Sequence, residues 1–114
     1  MRVFACSDIH VDFEDNLRWV NSLSNSDFKK DILILAGDVT DDILLFQKVL
    51  ENLRDRFFQL LYVPGNHDLW IRRDLGMNSL EKLQQIKIIA DNAGVSMELV
   101  HFDSLSIVPL STKI

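Results

Sequence analysis

FFQLLYVPGNHD, residues 57–68, is the stretch on which the reading of this chain turns. Apart from Gln59 the run is apolar through Val63, too short for a helix, and closed by Pro64 and Gly65, so its core at 59–63 reads as a buried strand. Directly behind that strand stand an amide, an imidazole and a carboxylate: Asn66, His67 and Asp68. Three side chains able to bind metal or carry protons, side by side where a strand ends, call for a chemical reason.

Two similar apolar runs lie upstream, RVFAC at 2–6 and ILILA at 32–36. Like the third they lack clear alternation, which predicts parallel strands buried on both faces. Helical spacing fills the gaps. Leu17, Val20 and Leu23 fall on one side of 14–24, and Ile43, Phe46, Leu50, Leu53 and Phe57 on one side of 41–57, with Thr40, Asp41 and Asp42 as candidate caps. The alternation predicts an α/β fold: a β-α-β-α-β core with right-handed crossovers and a parallel sheet. A further helix is expected over 78–93. Asn78 and Glu81 open it as a capping box, Leu80, Leu83, Ile86, Ile89 and Ala93 line its core face, and Gly94 stops it. MELVHF and LSIVPL then read as a hairpin.

Each parallel strand is followed by a polar motif: SDIH at 7–10, GDVTDD at 37–42 and PGNHD at 64–68. Loops at the carboxyl ends of parallel strands converge, so Asp8, His10, Asp38, Asn66, His67 and Asp68 are expected to meet. Asp8 and His10 are two residues apart, and an extended backbone would aim both the same way. Carboxylates and imidazoles without a thiolate suit manganese, iron, zinc or magnesium ions, and such a cluster suits metal-assisted hydrolysis. Cys6 reads as a small apolar strand residue. Asp41 and Asp42 favour a helix start, and Trp70, Arg72 and Arg73 a solvated face.

D-x-H, G-D-x-x-D and G-N-H-D, in that order on three strand ends, resemble the calcineurin-like metallophosphoesterase family. The resemblance implies a two-sheet sandwich of which this chain forms the N-terminal part. It implies a dinuclear site in which Asp8 and His10 bind one metal ion, Asp38 bridges both, and Asn66 holds the second through its amide oxygen. His67 would touch the phosphate or protonate the leaving oxygen, with Asp68 steadying its ring. The implied reaction is metal-dependent hydrolysis of a phosphomonoester or phosphodiester. A non-catalytic scaffold that keeps the fold is the rival reading. A nucleotide-binding α/β domain lacks support, because no glycine-rich phosphate loop follows the first strand.

The family pattern continues with a further ligand histidine and a Gly-His-x-His motif, and neither occurs in these 114 residues. His101, in the expected hairpin, has no such context and reads as an edge histidine. Residues 1–114 are therefore expected to form one domain, incomplete at its C-terminus, with weak metal affinity and little activity of its own. An uncovered sheet face would favour self-association or docking of the missing half. The net charge of −5 argues against a nucleic-acid surface. Without a disulfide framework, signal peptide or membrane span, the expectation is a cytoplasmic protein whose partner is a phosphate-ester substrate.

Overall fold

The computed structural model describes residues 1–65, 67–69, 78–98, 100–102 and 105–107. Strands β1 (Val3–Cys6), β2 (Ile32–Ala36) and β3 (Gln59–Val63) form a parallel sheet in the order β1-β2-β3. The register pairs Phe4 with Leu33 and Leu33 with Leu60, then Cys6 with Leu35 and Leu35 with Tyr62. Side chains alternate across a strand, so these six share one face: Leu33, Leu35, Leu60 and Tyr62 are buried in the hydrophobic core, and Phe4 and Cys6 pack against it.

That face is covered by helices α1 (Glu14–Asn21), α2 (Ile43–Arg56) and α3 (Ser79–Asn92). Helix α2 touches both of the others and β3, which makes the helical layer continuous. Its stripe of Phe46, Val49, Leu50 and Leu53 is buried at the centre of the core. Helix α2 begins where it does because the Asp42 carboxylate accepts from the amides of Leu44 and Leu45, which otherwise lack intrahelical partners. Helix α3 begins at Asn78, whose side chain accepts from the Glu81 amide at 2.8 Å. It gives way to Gly94, which adopts φ +74°.

Beyond β3 the sheet is extended by one residue. Ser96 accepts from the Tyr62 amide and donates its own to Leu60, a parallel bridge beside Leu61. The hairpin is present as β4 (Val100–Phe102) paired antiparallel with β5 (Leu105–Ile107). No helix among the described residues is long and apolar enough to cross a membrane.

Two sequence expectations are corrected. The strands are not uniformly buried on both faces: Val3, Ala5 and Ala36, on the sheet face away from the core cluster, are exposed. Apolar character marked the strands correctly but could not say which residues a second layer covers. On α3, Leu80 points to solvent with 55% of its surface exposed, while Lys82 is fully buried. The stripe of Leu83, Ile86 and Ala90 is centred so that position 82 lies within the covered arc and position 80 outside it.

Candidate metal centre

At the carboxyl ends of β1 and β2 the chain leaves regular structure, yet the two loops stay bonded to each other. The Asp8 amide donates to Gly37 O at 3.2 Å, His10 to Asp38 O at 3.1 Å and Val11 to Val39 O at 2.9 Å. Backbone hydrogen bonds thus continue past both strands and hold the two loops side by side. Their backbones are nonetheless far from extended. Asp8, His10 and Asp38 have φ values of 55°, 38° and 57°. The left-handed region costs an L-residue on the order of 1 kcal/mol, and Asp and His are among the residues that tolerate it best.

These same three residues converge. One ligand atom from each of Asp8, His10 and Asp38 lies within 4.8 Å of the others. His10 Nε2 stands 3.6 Å from Asp8 Oδ1. Asp8 is exposed and the other two half-buried, so the cluster opens to solvent on one side. Of the six residues expected to meet, Asp8, His10 and Asp38 come together among the described residues. Asp8 and His10 are brought together by left-handed turns rather than by the alternation of an extended strand.

Close approach of the loops depends on glycine at two places. A Cβ on Gly37, whose φ is +80°, would sit 2.8 Å from Gly65 Cα. A Cβ on Gly65 would sit 2.6 Å from the Asp38 amide nitrogen and 2.9 Å from its carboxyl carbon. The absence of both side chains is what lets the third loop pass directly against Asp38.

Asp68, fully buried, fixes that approach. Its Oδ2 accepts from the Asp38 amide at 2.9 Å, the Gly65 amide at 3.0 Å and the Tyr62 hydroxyl at 2.5 Å. Oδ1 accepts from the amides of Val39 at 2.7 Å and Thr40 at 3.1 Å. Burial, followed by the charge of Asp68 and the hydrogen bond to it, raises the Tyr62 phenol far above its usual range, so it remains a donor. Phe46 packs edge-on against the Tyr62 ring at 5.1 Å and holds it in place.

Two further ties lock the Asp38 loop. Thr40 Oγ1 donates to Asp12 Oδ1 at 2.6 Å and accepts from the Asp42 amide at 3.1 Å. Buried Lys82 donates from Nζ to Asp41 O at 2.7 Å and so joins α3 to the same loop. Neither Asp12 nor Lys82 was singled out by sequence reasoning. Tyr62 left a usable signal, since a tyrosine in a buried strand needs a partner for its hydroxyl.

Of the expected site residues, Asp8, His10 and Asp38 are assembled. Asn66, Trp70, Arg72 and Arg73 lie outside the described residues, as does the side chain of His67, whose backbone opens a 3₁₀ turn at His67–Leu69. The task expected of Asp68, steadying the His67 ring, therefore involves a side chain that is not described. His101 pairs through its backbone with Ser106 in the hairpin. Cys6 is half-buried against the core, and burial pushes its thiol up.

Two carboxylates and an imidazole, backed by glycine cradles and a buried carboxylate, make a group that could hold a hard to borderline divalent or trivalent cation. The three parallel strands and their loop cluster are those of the metallophosphoesterase fold. The chain belongs to the calcineurin-like phosphoesterase family, whose profile matches residues 1–112, a family built around a dinuclear metal site. Among curated proteins, the [acyl-carrier-protein] phosphodiesterase PptH of Mycobacterium tuberculosis is 40% identical over 68 residues. That match covers 60% of this chain and 21% of the relative. The crystal structure of phosphopantetheinyl hydrolase (PptH) from Mycobacterium tuberculosis superposes with a TM-score of 0.73 at 30% identity. It covers 83% of this chain and 34% of the solved one, so the chain spans about a third or less of the relatives it matches.

Proposed function

We propose that these residues form part of the catalytic centre of a metal-dependent phosphodiesterase. The observation that carries the reading is the convergence of Asp8, His10 and Asp38, each on a left-handed backbone, at the carboxyl end of the sheet. Left-handed non-glycine residues are sparsely populated, and strain of this kind concentrates at functional sites. Asp8 and His10 would hold one ion, Asp38 would stand between two, and Asn66 would add its amide oxygen to the second. Ions bound there would supply an activated water and neutralise charge on the phosphoryl oxygens. Manganese is the first ion to test, as an oxygen- and nitrogen-ligated metal.

The chain's own contribution is orientation and proton transfer. The half-open cluster leaves one side for a phosphate ester to approach, while the wall behind it is closed by the core. His67, next to Asn66 in the chain, would meet the phosphate or give a proton to the leaving oxygen. The likeness to an [acyl-carrier-protein] phosphodiesterase supports a diester ahead of a monoester as substrate. The lone thiol of Cys6, held in an apolar strand, is in keeping with a cytoplasmic setting.

The test is hydrolysis of bis(p-nitrophenyl) phosphate and p-nitrophenyl phosphate by the full-length protein with Mn²⁺. The expected result is faster turnover of the diester, lost on chelation and in Asp8→Asn. His67→Ala should lower kcat about 10²–10⁴-fold on an alkyl ester and less on a nitrophenyl ester, which needs little protonation. Turnover indifferent to chelation and to Asp8→Asn would refute the proposal.

A further inference from the structure

We infer that Asp68 is a positioning residue for the metal centre, acting through the backbone of Asp38 rather than through substrate or ion. This deepens the metal-dependent reading above and rests on it. Five donors from two separate segments meet one fully buried carboxylate. Three of them are the successive amides of Asp38, Val39 and Thr40. Consecutive amides in a turn make an anion-binding concavity, and here the protein's own Asp68 fills it.

The consequence for Asp38 is geometric. Its φ of 57° is unfavourable by itself, and its amide is held by Asp68 Oδ2 at 2.9 Å. Its peptide oxygen is engaged from the other side by the His10 amide. Bonds to a carboxylate are roughly twice as strong as neutral ones, so the set is well able to offset the left-handed turn. The same Oδ2 also takes the Gly65 amide, which keeps the third loop against Asp38 at the spacing that only glycine allows. A single carboxylate thus sets the backbone of one candidate ligand and the approach of the loop that carries Asn66.

Asp68→Asn is the discriminating change, because all five partners are donors and an amide nitrogen cannot accept from any of them. The experiment measures hydrogen exchange residue by residue in the metal-free full chain, and Mn²⁺ affinity by calorimetry. Leu50→Ala, in the core away from these loops, serves as a control of matched destabilisation. Asp68→Asn should lose protection at Asp38, Val39, Thr40 and Gly65 while β2 and α2 stay protected, and its Mn²⁺ affinity should fall about 10–100-fold. Leu50→Ala should lose stability with affinity unchanged. Equal affinity losses in the two variants, or full protection of the four amides in Asp68→Asn, would overturn the inference. Should Asp68→Asn fail to fold, through-hydrogen-bond couplings from the four amides to the Asp68 carboxyl carbon decide it in the unmutated chain: their presence supports the clasp and their absence ends it. A chain that binds no Mn²⁺ at all would refute the metal reading instead, with the exchange pattern still judging the clasp.

Discussion

Gly65→Ala is the substitution whose effect can be worked out most directly. The added methyl would meet Asp38 Oδ1 first, then the Asp38 amide nitrogen at 2.6 Å and the carboxyl carbon at 2.9 Å; the carboxylate can turn aside, but the backbone nitrogen cannot. Overpacking of that kind costs about 1–3 kcal/mol. To relieve it the two loops must separate, which stretches the bonds from the Asp38 and Gly65 amides to Asp68. Each is a bond to a charged group worth about 1.5–3 kcal/mol. Relief of one cost incurs the other, so the sum is not additive and a net loss of about 3 kcal/mol is expected, against a typical domain stability of about 5–15 kcal/mol. Gly94→Ala is the internal control: its φ of +74° costs about 1 kcal/mol, and the methyl would meet only the Arg54 Nε at 3.4 Å. Urea unfolding and Mn²⁺ calorimetry should separate the two, with metal affinity lost in Gly65→Ala and kept in Gly94→Ala. Near-native stability and affinity in Gly65→Ala would refute the claim that the third loop is pressed against Asp38.

If Asp38 bridges two ions as proposed, Asp38→Asn should weaken metal binding more than Asn66→Ala, since a bridging carboxylate would serve both ions and carries charge; calorimetric titration ranks them, and equal losses would remove the bridging role. Arg56 is buried and donates to Leu23 O at 3.0 Å, Asn21 O at 3.1 Å and both oxygens of Asn52, so it ties the end of α1 to α2. Arg56→Ala should cost about 2–4 kcal/mol by thermal denaturation, because several carbonyls lose their donor at once, and Arg56→Lys should recover less than half. Asp31 accepts from the Arg2 guanidinium at 2.7 and 3.1 Å and from the Arg2 amide at 2.8 Å, bonds that hold its carboxyl below the usual range. A lowered folded-state pKa means that the stabilisation is complete above the unfolded value of about 3.9 and is lost as pH falls through the folded one. Urea midpoints across that acid window should therefore drop less steeply in Asp31→Asn than in the unmutated chain.

Much of the frame was legible because its signals are local. Three apolar runs set β1, β2 and β3 within a residue of their observed limits, and the candidate caps at 40–42, of which Asp42 is the one used, and Asn78 marked the helix starts because an amide without a helical partner needs a nearby acceptor. The three polar motifs on three strand ends pointed to Asp8, His10 and Asp38, since parallel topology obliges those loops to converge. What tertiary structure alone decided is how convergence is achieved. Left-handed turns at three non-glycine residues, a gap that two glycines keep open, and the five-donor environment of Asp68 each depend on atoms about thirty residues apart in the chain. The burial of Lys82 and the exposure of Leu80 were likewise settled by packing, because helical period fixes the width of an apolar stripe but not the direction in which the neighbouring layer lies.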